Sequence, residues 1–136
     1  MSGLLDTNII VRYLTGDPPD LYPAAQGIID GDQGIQVNGV VLAEVGYVLT
    51  SLYRLSRAAV VDQLVDFLGK RNIDTLDLDK AIVQQALLLC RPSGRVSFAD
   101  ALTWAAALRT DHKVVYTLDE RFPSDGIEVR RSRSTT

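Results

Sequence analysis

A chain of 136 residues fits one domain and is long enough to bury a core without disulfide or metal staples. With 46% hydrophobic and 23% charged residues the composition is that of a globular protein, which excludes a disordered chain. The net charge of −3 argues against a domain that holds nucleic acid by bulk electrostatics. A nucleic-acid enzyme of this composition needs local basic patches, or metal ions, to receive phosphate.

In chain order, residues 2–6 predict a first strand and 7–15 a helix that "TGDPP" stops with a glycine and two prolines. Pro23 suits the first turn of a second helix running to about Asp30, with "DGDQG" as the turn. "IQVN" at 35–38 reads as a second strand. In "VVLAEVGYVLTSLY", residues 40–53, Val41, Val45, Val48, Leu49 and Leu52 fall at helical spacing. Ser56 then caps a helix over 57–71 that Asn72 closes, and "IDTL" supplies a third strand. Asp77 or Asp79 opens a helix to about Arg91, broken by "PSG". Ser97 caps a helix over 98–110, "KVVYT" at 113–117 is a fourth strand, and "IEV" at 127–129 an edge strand. The last residues, 130–136, read "RRSRSTT": a basic, polar tail set apart from a domain over 1–129 and suited to an anionic partner.

Strands alternating with helices imply an α/β fold, a mostly parallel sheet of four to five short strands flanked by helices. Ligands of such sheets bind beyond the carboxyl ends of the strands. Function is therefore expected just after strands 1 and 4, where Asp6 and Asp119 stand. Cys90 and His112 are the only residues of their kinds, which leaves thiol–imidazole catalysis and histidine-rich zinc sites with little support. Cys90 is expected as a small buried hydrophobe and His112 as a surface or C-capping residue. No signal-peptide pattern and no apolar run of membrane-spanning length is present, so a cytoplasmic protein without a membrane is expected.

Four acids merit attention, each with a plain structural role beside a functional one. Asp6 in "LLDTNIIVRYL" can cap a helix, yet Thr7 and Asn8 can cap as well, which leaves polar groups to spare at the strand end. Glu44 lies at the edge of an apolar helical stripe, either as a rim position facing a cation or as a surface residue. Asp100 stands three residues after Ser97, the spacing of a capping box, and points away from the apolar face. Asp119 follows the fourth strand as a turn residue or a ligand, with Thr117 just before the turn. Clustered carboxylates without counter-charge repel one another. Oxygen-only ligation suits a hard ion such as Mg²⁺ or Mn²⁺, which supports phosphodiester chemistry without a catalytic histidine.

The order and context of these acids carry a resemblance. "LLDTNIIVRYLTGD" at 4–17, "VNGVVLAEVGYVL" at 37–49, "VSFADALTWAAAL" at 96–108 and "KVVYTLDERF" at 113–122 make the chain resemble the PIN-domain ribonucleases, in particular the VapC-like toxins of bacterial toxin–antitoxin pairs. The resemblance implies a single PIN-like domain in which Asp6, Glu44, Asp100 and Asp119 hold Mg²⁺ or Mn²⁺. It further implies that Thr7, Asn8 and Thr117 position water or carboxylates. Arg12, Arg95 and Arg121 are the candidates for substrate contact. The implied activity is hydrolysis of RNA, of the tRNA or rRNA class, to a 5′-phosphate and a 3′-hydroxyl. The implied partners are a small antitoxin protein and a second copy of the chain. Two other readings remain: a receiver-like Mg²⁺-binding signalling domain, for which Asp77 would be the phosphoacceptor, and a non-catalytic PIN-like binding module. A haloacid-dehalogenase-type phosphatase would need a second Asp where Asn8 stands.

Overall fold

A strand that passes into a helix before the next strand has no hairpin partner, so it pairs in parallel across the crossover. The computed structural model describes residues 3–133, and β1, β2 and β3 are paired in this way. Strand β1 (Gly3–Leu4) pairs with β2 (Ile35–Val37), and β2 with β3 (Ile73–Thr75), in register Gly3↔Ile35 and Ile35↔Ile73. A second parallel pair joins β4 (Val114–Tyr116) to β5 (Glu128–Arg130) through Val114↔Glu128 and Tyr116↔Arg130. The expected five strands are present, but in a three-stranded and a two-stranded sheet, with no ladder from β1 to β4 among the described residues. Among the described residues, β1 contributes Gly3 and Leu4 to its ladder with β2. Ser2, placed in the first strand by its sequence, and 134–136 of the tail lie outside the described residues.

Among the described residues six α-helices follow the expected order: α1 (Thr7–Thr15), α2 (Tyr22–Ile29), α3 (Gly39–Tyr47), α4 (Arg57–Leu68), α5 (Lys80–Leu89) and α6 (Phe98–Ala107). Their starts follow local chemistry. The side chains of Asp6, Asn38, Ser56, Asp79 and Ser97 each accept a backbone N–H of the first turn they precede. Three ends differ from the sequence expectation, α6 stopping at Ala107 rather than at 110. The helix expected over 40–53 is α-helical only to Tyr47 and continues as a wider π-type turn, Val48–Leu52, closed by Tyr53 N–H on Val48 O at 3.1 Å. Helix α4 ends at Leu68 rather than at Asn72, with Gly69 donating to Val65 O. The Asn72 amide instead donates to the carbonyls of Ile29, Gly31 and Gln33, tying the chain before β3 to the turn before β2. Arg130 is the last residue of β5, so the strand runs one residue into the basic tail.

The core is one contiguous apolar cluster, with Ile10, Ile29, Val37, Leu42, Leu64, Leu68, Ile73 and Leu87 fully buried. Helix α6 packs against both α3 and α5, and α3 also packs on α1, so the elements that carry the candidate acids share one framework. No helix among the described residues is long and apolar enough to cross a membrane.

Candidate functional site

Leu5 N–H reaches Gln36 O at 2.9 Å, the last bond of the β1 edge, and Asp6 is the next residue. One oxygen of its carboxylate accepts Thr7 N–H at 2.8 Å as the cap of α1, while the side chain faces solvent. The capping role and an exposed carboxylate at a strand's carboxyl end therefore coexist. Thr7 is buried behind it and Asn8 is exposed on the first turn.

Glu44 is exposed on α3, with Leu42 and Val45 buried to either side in sequence. Its height relative to α6 follows from two glycines. A Cβ on Gly39 would touch Leu102 Cβ at 3.9 Å, and one on Gly46 would fall 2.6 Å from the Phe98 ring. The two helices are thus antiparallel, and Glu44 lies level with the first turn of α6. Asp100 is in that turn, half-buried, with its N–H on Ser97 Oγ at 3.0 Å. A carboxylate so close to a helix N-terminus gains about 0.3–1 kcal/mol from the helix dipole.

Asp119 stands past the end of β4. Thr117 Oγ1 accepts the Asp119 N–H at 3.0 Å and so shapes the turn. The Asp119 carboxylate accepts Arg121 N–H at 2.9 Å and pairs with its guanidinium at 3.3 Å. The Arg121 backbone amide holds the Asp119 carboxyl below its usual pKa, helped by the Arg121 guanidinium and by the charge of Arg95. Arg95 is exposed before α6, whereas Arg12 is half-buried on α1.

These positions put Glu44 and Asp100 at one level of the α3–α6 pair, and Asp6 and Asp119 at the carboxyl ends of their strands. They do not form a ready-made cage: among the described residues no three Asp, Glu, His or Cys stand together as ligands for one ion. The donor chemistry nonetheless suits a hard divalent cation. Every candidate ligand is an oxygen, and Asp6, Glu44 and Asp100 have no basic ion-pair partner among the described residues. Cys90 is buried as expected, and burial raises its thiol pKa against the opposing pull of Arg57, so it is no ready thiolate nucleophile.

Arg57 was not foreseen. At the start of α4 its Nε donates to Cys90 O at 2.6 Å, a second nitrogen donates to Val96 O, and the guanidinium lies 4.6 Å from the Phe98 ring centroid. It thereby braces the loop that delivers α6 and Asp100. Its partners lie 33 and 39 residues away, and no local spacing announces them.

Comparison with known proteins gives one family: the model described as PIN domain matches residues 3–124. No curated protein and no solved structure matches the chain.

Proposed function

Because the chain belongs to the PIN-domain family, whose members are usually nucleases and typically bind divalent metal ions, we propose that it is a Mg²⁺- or Mn²⁺-dependent endoribonuclease. Family membership sets aside the receiver-like and phosphatase readings. The observation that carries the proposal is the placement of four carboxylates: Asp6 and Asp119 at the carboxyl ends of β1 and β4, and Glu44 and Asp100 at one level of the antiparallel α3–α6 pair, with Asp6, Glu44 and Asp100 in no ion pair among the described residues.

In this reading Asp6, Glu44, Asp100 and Asp119 would hold the ion, which when bound would supply positive charge at the scissile phosphate and acidify water. Asp6 keeps one oxygen for its helix cap and offers the other to the site. The Thr117 hydroxyl fixes the turn that presents Asp119, a positioning role. Asn8, exposed one turn-step from Asp6, orients water or a phosphate oxygen through its amide. The reaction breaks the P–O3′ bond of an RNA of the tRNA or rRNA class, joins the water oxygen to phosphorus to give a 5′-phosphate, and passes a proton of that water to the leaving 3′ oxygen to give a 3′-hydroxyl.

The finer assignment we propose is the toxin of a toxin–antitoxin pair in the cytoplasm, with an antitoxin protein and a second copy of the chain as partners. Support for a protein partner comes from α3, where Val40 and Tyr47 are large, apolar and respectively 78% and 62% exposed. A neighbouring reading frame for a small DNA-binding protein would favour the toxin role over a housekeeping nuclease.

Asp6→Asn and Asp100→Asn test the site. Each is expected to abolish Mg²⁺-dependent cleavage of total cellular RNA while leaving the circular dichroism spectrum and thermal midpoint near the parent's. If both variants cleave as the parent does, the site assignment fails.

A further inference from the structure

We propose that the basic arm leaving β5, Arg131 and Arg133, is an RNA-backbone clamp that holds phosphates flanking the one presented to Asp119. The inference rests on the nuclease reading above and adds to it a substrate-binding surface. Strands β4 and β5 are parallel, so their carboxyl ends open on the same edge, where ligands of such sheets bind. Tyr116 is paired with Arg130, and Thr117 N–H bonds Arg130 O at 3.1 Å. Arg131 therefore starts about 5 Å, one strand spacing, from the Thr117 whose hydroxyl shapes the Asp119 turn. Its Nη1 donates to Leu118 O at 3.4 Å. A guanidinium has five N–H donors, so this anchor leaves the others for an anion.

Arg130 is committed to Glu128, in an ion pair at 2.5 Å. Arg131 and Arg133 are exposed and in no ion pair among the described residues. Arg121 lies on Asp119 itself, and Arg95 is near enough for its charge to act on that carboxylate. Residues 130–136 hold three arginines and no acid in a chain whose net charge is −3. Arg95, Arg121 and Arg131 thus lie around the end of β4 that bears Asp119, with Arg133 two residues further along the chain. Core packing makes no use of an exposed Arg133. A phosphodiester backbone presents single charges spaced along a chain, each matched by a guanidinium fork. The nuclease reading already brings a phosphodiester to Asp119, and the same polyanion supplies the flanking charges that Arg131 and Arg133 would meet.

The test is binding of a fluorescent mixed-sequence single-stranded RNA of about 20 nucleotides, by anisotropy in EDTA, across roughly 50 to 200 mM KCl. The full chain is compared with Arg131→Ala/Arg133→Ala and Arg131→Lys/Arg133→Lys. Loss of two phosphate contacts is expected to flatten the plot of log affinity against log salt by about 1.4, and to weaken binding roughly 25-fold near 0.1 M salt. The lysine pair should keep the parent's slope. An alanine pair that keeps both slope and affinity overturns the clamp, as does a parent with no salt-dependent RNA binding. An alanine pair that binds RNA normally but loses an acidic protein partner overturns it in favour of protein docking. The two readings fail separately. An Asp6→Asn variant that cleaves normally, beside an alanine pair that loses RNA, refutes the acid site and leaves the clamp standing.

Discussion

Gly46→Ala should destabilise the protein, although the same change on an open helix stabilises. A Cβ at Gly46 would stand 2.6 Å from Phe98 Cδ2, 2.7 Å from Cγ and 2.8 Å from Cε2. Carbon atoms rest about 3.5–4.0 Å apart, so the ring has to retreat by about 1 Å. Phe98 is 5% exposed and has the braced Arg57 guanidinium over it, so the ring has little room. Overpacking costs about 1–3 kcal/mol, and a ring with so little room puts it in the upper part of that range, about 2–3 kcal/mol, while the helix-propensity gain of alanine over glycine returns about 1 kcal/mol. The net is a loss of about 1–2 kcal/mol. For a chain of 136 residues the unfolding entropy makes each kcal/mol worth about 3–4 °C, so the thermal midpoint should fall by roughly 3–7 °C. Gly27→Ala is the control: on exposed α2 its Cβ meets nothing within 4 Å, and the midpoint should rise by about 2–3 °C. Thermal unfolding of both variants, with Phe98→Leu and Gly46→Ala/Phe98→Leu to complete a cycle, reads the contact directly. A Gly46→Ala protein as stable as the parent would refute the close α3–α6 approach, and with it the argument that sets Glu44 level with the turn of Asp100.

Arg57→Met removes the donors to Cys90 O and Val96 O and the charge over Phe98; a loss of about 1.5–3 kcal/mol is expected by urea unfolding, and a loss below about 0.5 kcal/mol would count against the brace. Asp30 has its pKa lowered, first by the Tyr13 hydroxyl at 2.7 Å and then by Lys70, so its contribution to stability is full above the ordinary value of 3.8 and fades as pH falls through the folded-state pKa. Tyr13→Phe should raise the Asp30 pKa toward 3.8 in an NMR titration, and no movement would refute the assignment. The same bond raises Tyr13 above its usual 10.0, so its contribution holds below that pH and is lost as pH rises through the folded-state pKa; Asp30→Asn should return the phenol absorbance titration toward 10.0. EDTA should stop RNA cleavage and Mg²⁺ or Mn²⁺ restore it, whereas cleavage indifferent to chelation would point to a different mechanism.

The division between what was legible in the sequence and what was not follows the range of the interactions. Asp6, Ser56, Asp79 and Ser97 cap helices within three residues of themselves, and the Thr117–Asp119–Arg121 turn is equally local, so composition and spacing disclose them. Asn72 looked like a helix end because its type is common there, yet its amide is spent on carbonyls 39 to 43 residues away. The widening after Tyr47 was hidden for a similar reason: the apolar period of Val45, Val48, Leu49 and Leu52 continues through it, while the Thr50 hydroxyl bonds Gly46 O in the turn that loosens. Each candidate acid was found because a local device presents it, whether cap, first helical turn or strand-end turn, with only Glu44 needing the helical wheel. What relates those acids is not local. The heights of Glu44 and Asp100 depend on how closely α3 approaches α6, which Gly39 and Gly46 permit against Leu102 and Phe98, and on Arg57 holding the loop into α6. Small residues on one helix face and an arginine at another helix's start are ordinary features in one dimension. Only the fold makes them the supports of one surface.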